Sequence, residues 1–373
     1  MKKTLLLVVG MLVAGMSFAQ EATPDSTATA NDTYKTKYTF LPYAIYAPET
    51  SVEGGVLILR QFKPKGAGAD TRPSNIEFNP AYTLNNQWKI NLKHTYIAPG
   101  EKWITTGRFT LRKFPEKYFG IGNNTSDAQE RRVDWTAAMF TGDWAKQVKP
   151  GMFAGVQVKY NRYMNVMFED CLECNDEQLG EVIPGEEGGT AAGIGLIYKW
   201  DLRNSVMTPV RGHYLEVSTL HHGKATLSDY GFSSLKLDAR KYFDFSSAQN
   251  GGSVLAMQAM GQFTFGDAPF RELAMLGGDG QMRGYYFGRY RDDHYVTAQV
   301  EYRQDLFWRF GATAFATVGN VGNSVENMME NIKGTVGAGL RLNMNKKDRA
   351  HLRLDYAVGN GTSGLYMTFG EAF

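Results

Sequence analysis

From about residue 38 to the C-terminus, apolar and polar residues alternate with a period of two. Leu352, Leu354, Tyr356 and Val358 alternate with His351, Arg353 and Asp355. Val296, Ala298, Val300 and Tyr302 alternate with Thr297, Gln299, Glu301 and Arg303, and Val336 to Met344 repeats the pattern. Successive strand residues point to opposite faces, so each run carries one apolar and one polar face. Two architectures produce this. A soluble sandwich turns the apolar face inward, whereas a membrane barrel turns it toward lipid and lines its lumen with the polar face.

The runs favour the second. They last about nine to twelve residues, the length that crosses a bilayer at a tilt, against about five or six for ordinary strands. The apolar faces stay free of charge. Aromatic residues gather at run ends (Trp200, Tyr242, Phe243, Phe245, Phe307, Trp308, Phe310), as interfacial girdles require. The fold expected is all-β, a transmembrane antiparallel barrel of about 16 strands. Their expected spans are 38–47, 52–62, 73–84, 87–97, 102–113, 131–146, 150–166, 190–200, 211–221, 229–243, 251–266, 293–304, 309–319, 333–343, 350–358 and 364–373. The first is the weakest, because Pro42 and Pro48 bracket it and proline cannot donate to a ladder. With the C-terminus on the periplasmic side, segments 114–130, 167–189, 267–292 and 320–332 fall outside the cell. The shorter connections 98–101, 147–149, 244–250, 305–308 and 344–349 fall inside, the asymmetry such barrels show.

Composition narrows the function classes. The 40 basic and 38 acidic residues leave a net charge of +2, so nucleic acid is not an expected partner. The 43% hydrophobic content excludes disorder. No stretch after the first twenty residues is long and apolar enough for a spanning helix. Residues 1–19 have the form of a signal peptide: Lys2 and Lys3, an apolar run from Leu5 to Val13, then Ser17-Phe18-Ala19. Residues 20–37 are expected to be a flexible lead-in, and 38–373 the outer-membrane barrel.

The segment 277–304 reads GGDGQMRGYYFGRYRDDHYVTAQVEYRQ. Its Met282-Arg283-Gly284-Tyr285, with Glu301 eighteen residues beyond the arginine, resembles the BamA/TamA family of outer-membrane assembly factors, also called the bacterial surface antigen family. The resemblance implies a long extracellular loop folded into the lumen, its arginine clamped by acidic residues on the next two strands. Glu301 matches the first of these. At the second, in Phe315-Ala316-Thr317-Val318-Gly319, Thr317 stands where the family has Asp. Asp201-Leu202-Arg203-Asn204 through Thr208-Pro209-Val210-Arg211-Gly212 resembles a family turn. Met367 to Phe373, with Gly370 three residues before the terminal aromatic, resembles the family's C-terminal strand signal. That implies outer-membrane lipid as surroundings and the barrel assembly machinery as a partner during biogenesis. Family members that insert proteins also carry periplasmic (POTRA) domains of roughly eighty residues; the expectation here is a barrel without them.

The residues alone agree with an anchored loop. A guanidinium cannot deprotonate and needs carboxylate or carbonyl partners, and Glu301 points inward by alternation. By the same alternation Arg341 and Arg353 line the lumen, and their exchange for Gln is expected to leave folding nearly intact.

The remaining chemistry is sparse. Cys171 and Cys174, in an acidic external loop, are placed for a small-loop disulfide rather than a metal site, which would need two further ligands. The six histidines (His94, His213, His221, His222, His294, His351) lie in no serine-containing motif, so no catalytic residue, metal site or cofactor is assigned. Three classes stay open: a barrel assisting insertion or transport of protein or lipid, a passive channel or structural barrel with the same fold, and, least favoured, an outer-membrane hydrolase.

Overall fold

A computed structural model describes residues 35–68, 71–169, 182–206, 208–246, 252–345 and 350–373. The expected signal peptide, most of the lead-in and the Cys171/Cys174 pair lie outside these residues. The first half of the chain forms β1 (Lys37–Ala47), β2 (Ser51–Phe62), β3 (Ser74–Thr83), β4 (Trp88–Ile97), β5 (Trp103–Lys113), β6 (Glu116–Tyr118), β7 (Arg131–Lys149), β8 (Met152–Phe168) and β9 (Gly189–Asp201). The second half forms β10 (Gly212–His222), β11 (Phe232–Asp244), β12 (Ser253–Gly266), β13 (Ala274–Leu276), β14 (Tyr290–Asp292), β15 (His294–Phe307), β16 (Phe310–Gly322), β17 (Lys333–Asn345), β18 (Ala350–Gly359) and β19 (Thr362–Phe369). Sixteen of these close into one antiparallel barrel in chain order; β6 adds a short extra strand on β7, and β13 pairs with β14 apart from the wall.

The wall is inverted relative to a soluble protein. On β15, Val296 and Tyr302 are about half exposed on the outer face, while Thr297, Gln299, Glu301 and Arg303 are buried on the inner one. On β17 and β18, Leu340, Leu354 and Tyr356 face out, and Arg341, Arg353 and Asp355 face in. Apolar residues outside gain nothing from water and are stable only against lipid.

The long connections 114–130, 267–293 and 323–332 share one end of the barrel, the end at which β8 stops and β9 starts. Two-residue turns at 150–151 and 308–309 lie at the other. β7 and β8 are the longest strands, at 19 and 17 residues; β7 runs three residues past its expected span at the short turn, and β8 is shifted two residues toward the long loops. Their upper parts carry the largest buried apolar cluster among the described residues, where Trp135, Tyr163, Phe232, Tyr118 and Phe270 pack together. β6, β13 and β14 have three residues each, too few for a period to be read from sequence.

The last strand departs from expectation. Alternating Leu365, Met367 and Phe369 suggested a strand running to Phe373, with that residue as part of a C-terminal strand signal. Instead β19 ends at Phe369, and Gly370 adopts φ +82°, the left-handed region that glycine enters without a Cβ clash. The last residues turn inward, and Phe373 is buried against Tyr242 and Ala256.

Candidate functional site

The segment between β12 and β15 folds back into the lumen and is held at two levels. Near the long-loop end, Glu272 accepts hydrogen bonds from three residues of β8: Lys159 at 2.5 Å, Asn161 at 2.6 Å and Tyr163 at 2.9 Å. Burial opposes the charge on Glu272, but Lys159 and Asn161 outweigh it and hold the carboxyl below its usual range. Beside it, Arg271 stacks on Trp135, 3.7 Å from the ring centroid, and pairs with Glu116 at 2.9 Å.

Deeper in the lumen lies Arg283, fully buried. Its Nη2 donates to Glu301 Oε2 at 2.6 Å and its Nη1 to Asp355 Oδ2 at 2.6 Å. The guanidinium carbon sits 3.4 Å from the Phe315 ring centroid. A planar fork between two carboxylates, over an aromatic face, is a geometry that lysine cannot reproduce.

The second carboxylate is a correction. Thr317 is buried on β16, but its hydroxyl has no hydrogen-bond partner and it does not hold Arg283. Asp355 on β18 takes the role expected of position 317. Alternation marks Asp355 as inward, but its strand lies three places round the wall from β15, so no local spacing connects it to the loop.

The neighbouring motif residues bind the loop to the last strand. Gly284 has φ +107°; its N–H donates to the Tyr366 hydroxyl at 3.0 Å, and its carbonyl accepts from Thr362 Oγ1 at 2.9 Å. A Cβ there would meet Thr335 Cγ2 at 3.2 Å, so backbone strain and space both call for glycine. Met282 is buried with Leu276, Tyr295 and Val321, and the Tyr285 hydroxyl accepts from Asn360 N–H at 3.2 Å.

The same two carboxylates reach the C-terminal tail. Glu301 Oε1 accepts from Arg303 Nε at 2.7 Å and Asp355 Oδ1 from Arg341 Nη1 at 2.5 Å. Arg341 Nε donates to Glu371 at 2.8 Å, and Arg303 reaches the Phe373 carbonyl at 3.1 Å and the Pro209 carbonyl, in the Thr208–Gly212 turn, at 3.2 Å. Burial works against the charge of Glu371, but Arg303, the His351 hydrogen bond and Arg341 hold its carboxyl well below the usual range. The pairs of Glu371 therefore persist as pH falls through the ordinary carboxylate range and are lost only below it. Arg353 pairs with Asp279 at 2.7 Å. Arg341 and Arg353 are thus not free lumen charges: exchange of Arg341 for Gln takes a partner from the buried Asp355 and Glu371 instead of leaving folding intact, whereas the Asp279 partner of Arg353 is half exposed and its loss costs less.

The barrel closes weakly. β1 and β19 share a single ladder pair, Tyr46 with Met367, whereas β1 and β2 pair along eleven positions. Two local features of the sequence shorten the β1–β19 ladder. Leu84 N–H donates to the Val52 carbonyl and Asn79 Nδ2 to the Val56 carbonyl, so even-numbered residues of β2 bond toward β3. By alternation across the β1–β2 register, even-numbered residues of β1 point toward β19. Continuing from Tyr46, the next bonding positions are Ala44 and Pro42. Pro42 has no N–H, and the strand opposite it turns into the lumen at Gly370. The weak first strand expected from its prolines is the seam.

Among the described residues no group of three His, Cys, Asp or Glu side chains is placed to hold a metal.

The Omp85 superfamily domain model matches residues 186–373, which include the internal loop, its anchors and the tail. No curated protein matches the sequence. Among solved structures, BamA from Haemophilus ducreyi lacking POTRA domains 1–3 superposes with TM-score 0.61 at 12% identity, over 98% of this chain and 78% of that one. CdiB from Acinetobacter baumannii gives TM-score 0.55 at 11% identity over 90% of this chain, and CdiB from Escherichia coli 0.55 at 9% over 91%. The chain spans 60% and 64% of those two CdiB chains. At such identities the likeness is one of fold.

Proposed function

This chain belongs to the Omp85 superfamily, and from that premise we propose that it is a non-enzymatic barrel of the bacterial outer membrane that assists insertion or transport of protein or lipid at the β1–β19 seam. The observation that carries this reading is the single ladder pair closing the wall. An edge with unpaired N–H and C=O groups is costly in hydrocarbon and is a template for another strand. In this barrel such an edge is present beside an anchored loop and an inward-turned tail, so pairing can be exchanged at the seam while the rest of the wall stays closed. The loop anchors Met282, Arg283, Gly284 and Tyr285, with Glu301 and Asp355, then serve to keep the last strands in register while the seam opens. Lipid surrounds the apolar outer face, and the barrel assembly machinery acts on the chain during its own biogenesis.

A second reading, a passive channel, draws on the wall from β3 to β10. Inward side chains there remain partly exposed, as in the Lys93–Glu77 pair at 36% and 25% and Lys199 at 23%. Depletion in the native cell, followed by an outer-membrane proteome and lipid profile, separates the two. The proposal expects loss of a subset of barrel proteins or a changed lipid profile. Unchanged protein and lipid with reduced uptake of small solutes would identify a channel instead.

A further inference from the structure

The wall beside the seam has a second irregularity, one strand further in. Val56 on β2 stands opposite Pro42 on β1. On its other side it falls in the row of Pro80 on β3, because Gly55 faces Ala81 and Ile58 faces Phe78. Between those two pairs the β2–β3 ladder omits Val56 and Leu57. Pro80 has no N–H to offer the Val56 carbonyl, and the Asn79 side chain donates to it instead, at 3.0 Å. Asn79 also donates to the Tyr43 hydroxyl at 2.8 Å, and that hydroxyl donates to Glu53 at 3.0 Å. Around that row the β2–β3 ladder is replaced by side-chain hydrogen bonds that join three adjacent strands, while the β1–β2 backbone ladder runs through it unbroken.

Beyond that row, toward the long loops, β1 and β2 end in a turn that touches the internal loop. Phe287 N–H donates to Glu49 Oε1 at 2.8 Å. The loop holds β19 as well, through Gly284 with Tyr366 and Thr362. It spans both edges of the seam.

We propose that residues 43–55, the ends of β1 and β2 with their turn, form a flap that hinges on the Pro42–Val56–Pro80 row and is latched by Glu49 to the internal loop. This rests on the reading of the seam as the place of opening and names what controls it. A bend at the row breaks a side-chain hydrogen bond while leaving most of the backbone ladder intact. The flap's outer edge has one ladder pair to release. Among the described residues its tip is tied to the loop by the Phe287 contact alone and to the β3–β4 turn by Asn85 and Gln87, which donate to the Glu49 carbonyl, so that turn moves with it. Because the loop also holds β19, release of the latch leaves the last strand in place while the first one moves.

Amide hydrogen exchange on the full chain, refolded in lipid nanodiscs and read by mass spectrometry, tests the proposal. Glu49→Ala removes a charge-assisted hydrogen bond and is expected to raise exchange in peptides covering 43–55 by about tenfold, with β16 and β17 unchanged. Glu49→Gln keeps an acceptor and should raise it less. Pro80→Val restores a backbone donor and should lower exchange in the same peptides, in the Glu49→Ala background, by at least about threefold. Should Pro80→Val fail to fold, Asn79→Ala serves in its place and should raise exchange in 43–55 alone. Exchange in 43–55 that rises no more than in β16 and β17 on Glu49→Ala overturns the latch, and Pro80→Val raising it overturns the hinge. The measurement reads motion, not insertion. A mobile flap in a barrel that inserts nothing would sink the proposed function and leave this inference standing; a rigid flap in an active barrel would do the reverse.

Discussion

Arg283→Ala is expected to release the internal loop at a cost of about 3–5 kcal/mol, the range for breaking a buried ion pair from one side. Four guanidinium groups (Arg283, Arg303, Arg341, Arg353) face four carboxylates (Glu301, Asp355, Glu371, Asp279) in this network. Taking one cation away leaves Glu301 and Asp355 each short of a partner in a place that water does not reach, since both side chains have no exposed surface. A cost of that size raises the open population of the loop by roughly 10²–10³-fold. Protease cleavage within 277–292 should rise accordingly, because cleavage of a rapidly opening segment follows its open population. Arg283→Lys should recover little, since one ammonium cannot bridge two carboxylates in a fixed fork. Thr317→Asp, which the family pattern suggests would tighten the loop, is expected to loosen it by adding a carboxylate to a balanced network. A loop in Arg283→Ala no more cleavable than in the parent would remove the clamp from the account.

The second large effect is on the outer wall. Leu340 is 55% exposed near the middle of β17. Its replacement by Arg is expected to cost about 2–4 kcal/mol in liposomes, whereas Trp308→Arg, at a short turn, should cost about 0–1. The difference comes from depth: a guanidinium at the barrel end reaches headgroups and water, and one at mid-wall cannot. Denaturant titration of both variants in liposomes measures it. Equal costs at the two depths would contradict an apolar belt in a bilayer.

The sequence carried the wall almost entirely. Period-two alternation reports which side of a strand faces which medium, so Val296 to Arg303 and Leu352 to Val358 could be placed, and their polarity oriented, without any contact information. The Arg283–Glu301 juxtaposition was within reach because loop and strand are adjacent in the chain. Asp355 was not, since its approach to Arg283 depends on how far round the wall β18 stands. The tail was hidden for a different reason. Met367 and Phe369 continue the alternation up to Gly370, and nothing before that glycine announces the turn that buries Phe373. Pro42 was visible as a fault in the first strand, yet that its missing N–H faces β19 follows only from the bonding direction of Val52 and Val56 on the neighbouring strand.

The central claim is that the seam between β1 and β19 is where the barrel acts, and locking it is the most direct test. Tyr46→Cys with Met367→Cys, in a chain whose Cys171 and Cys174 are replaced by Ser, places a disulfide at the single ladder pair. Reconstituted into liposomes, the reduced protein should accelerate membrane insertion of a urea-unfolded outer-membrane barrel or transfer of labelled lipid. The oxidised protein should fall to the rate of empty liposomes, and reductant should restore the activity. An oxidised barrel as active as the reduced one would contradict the claim.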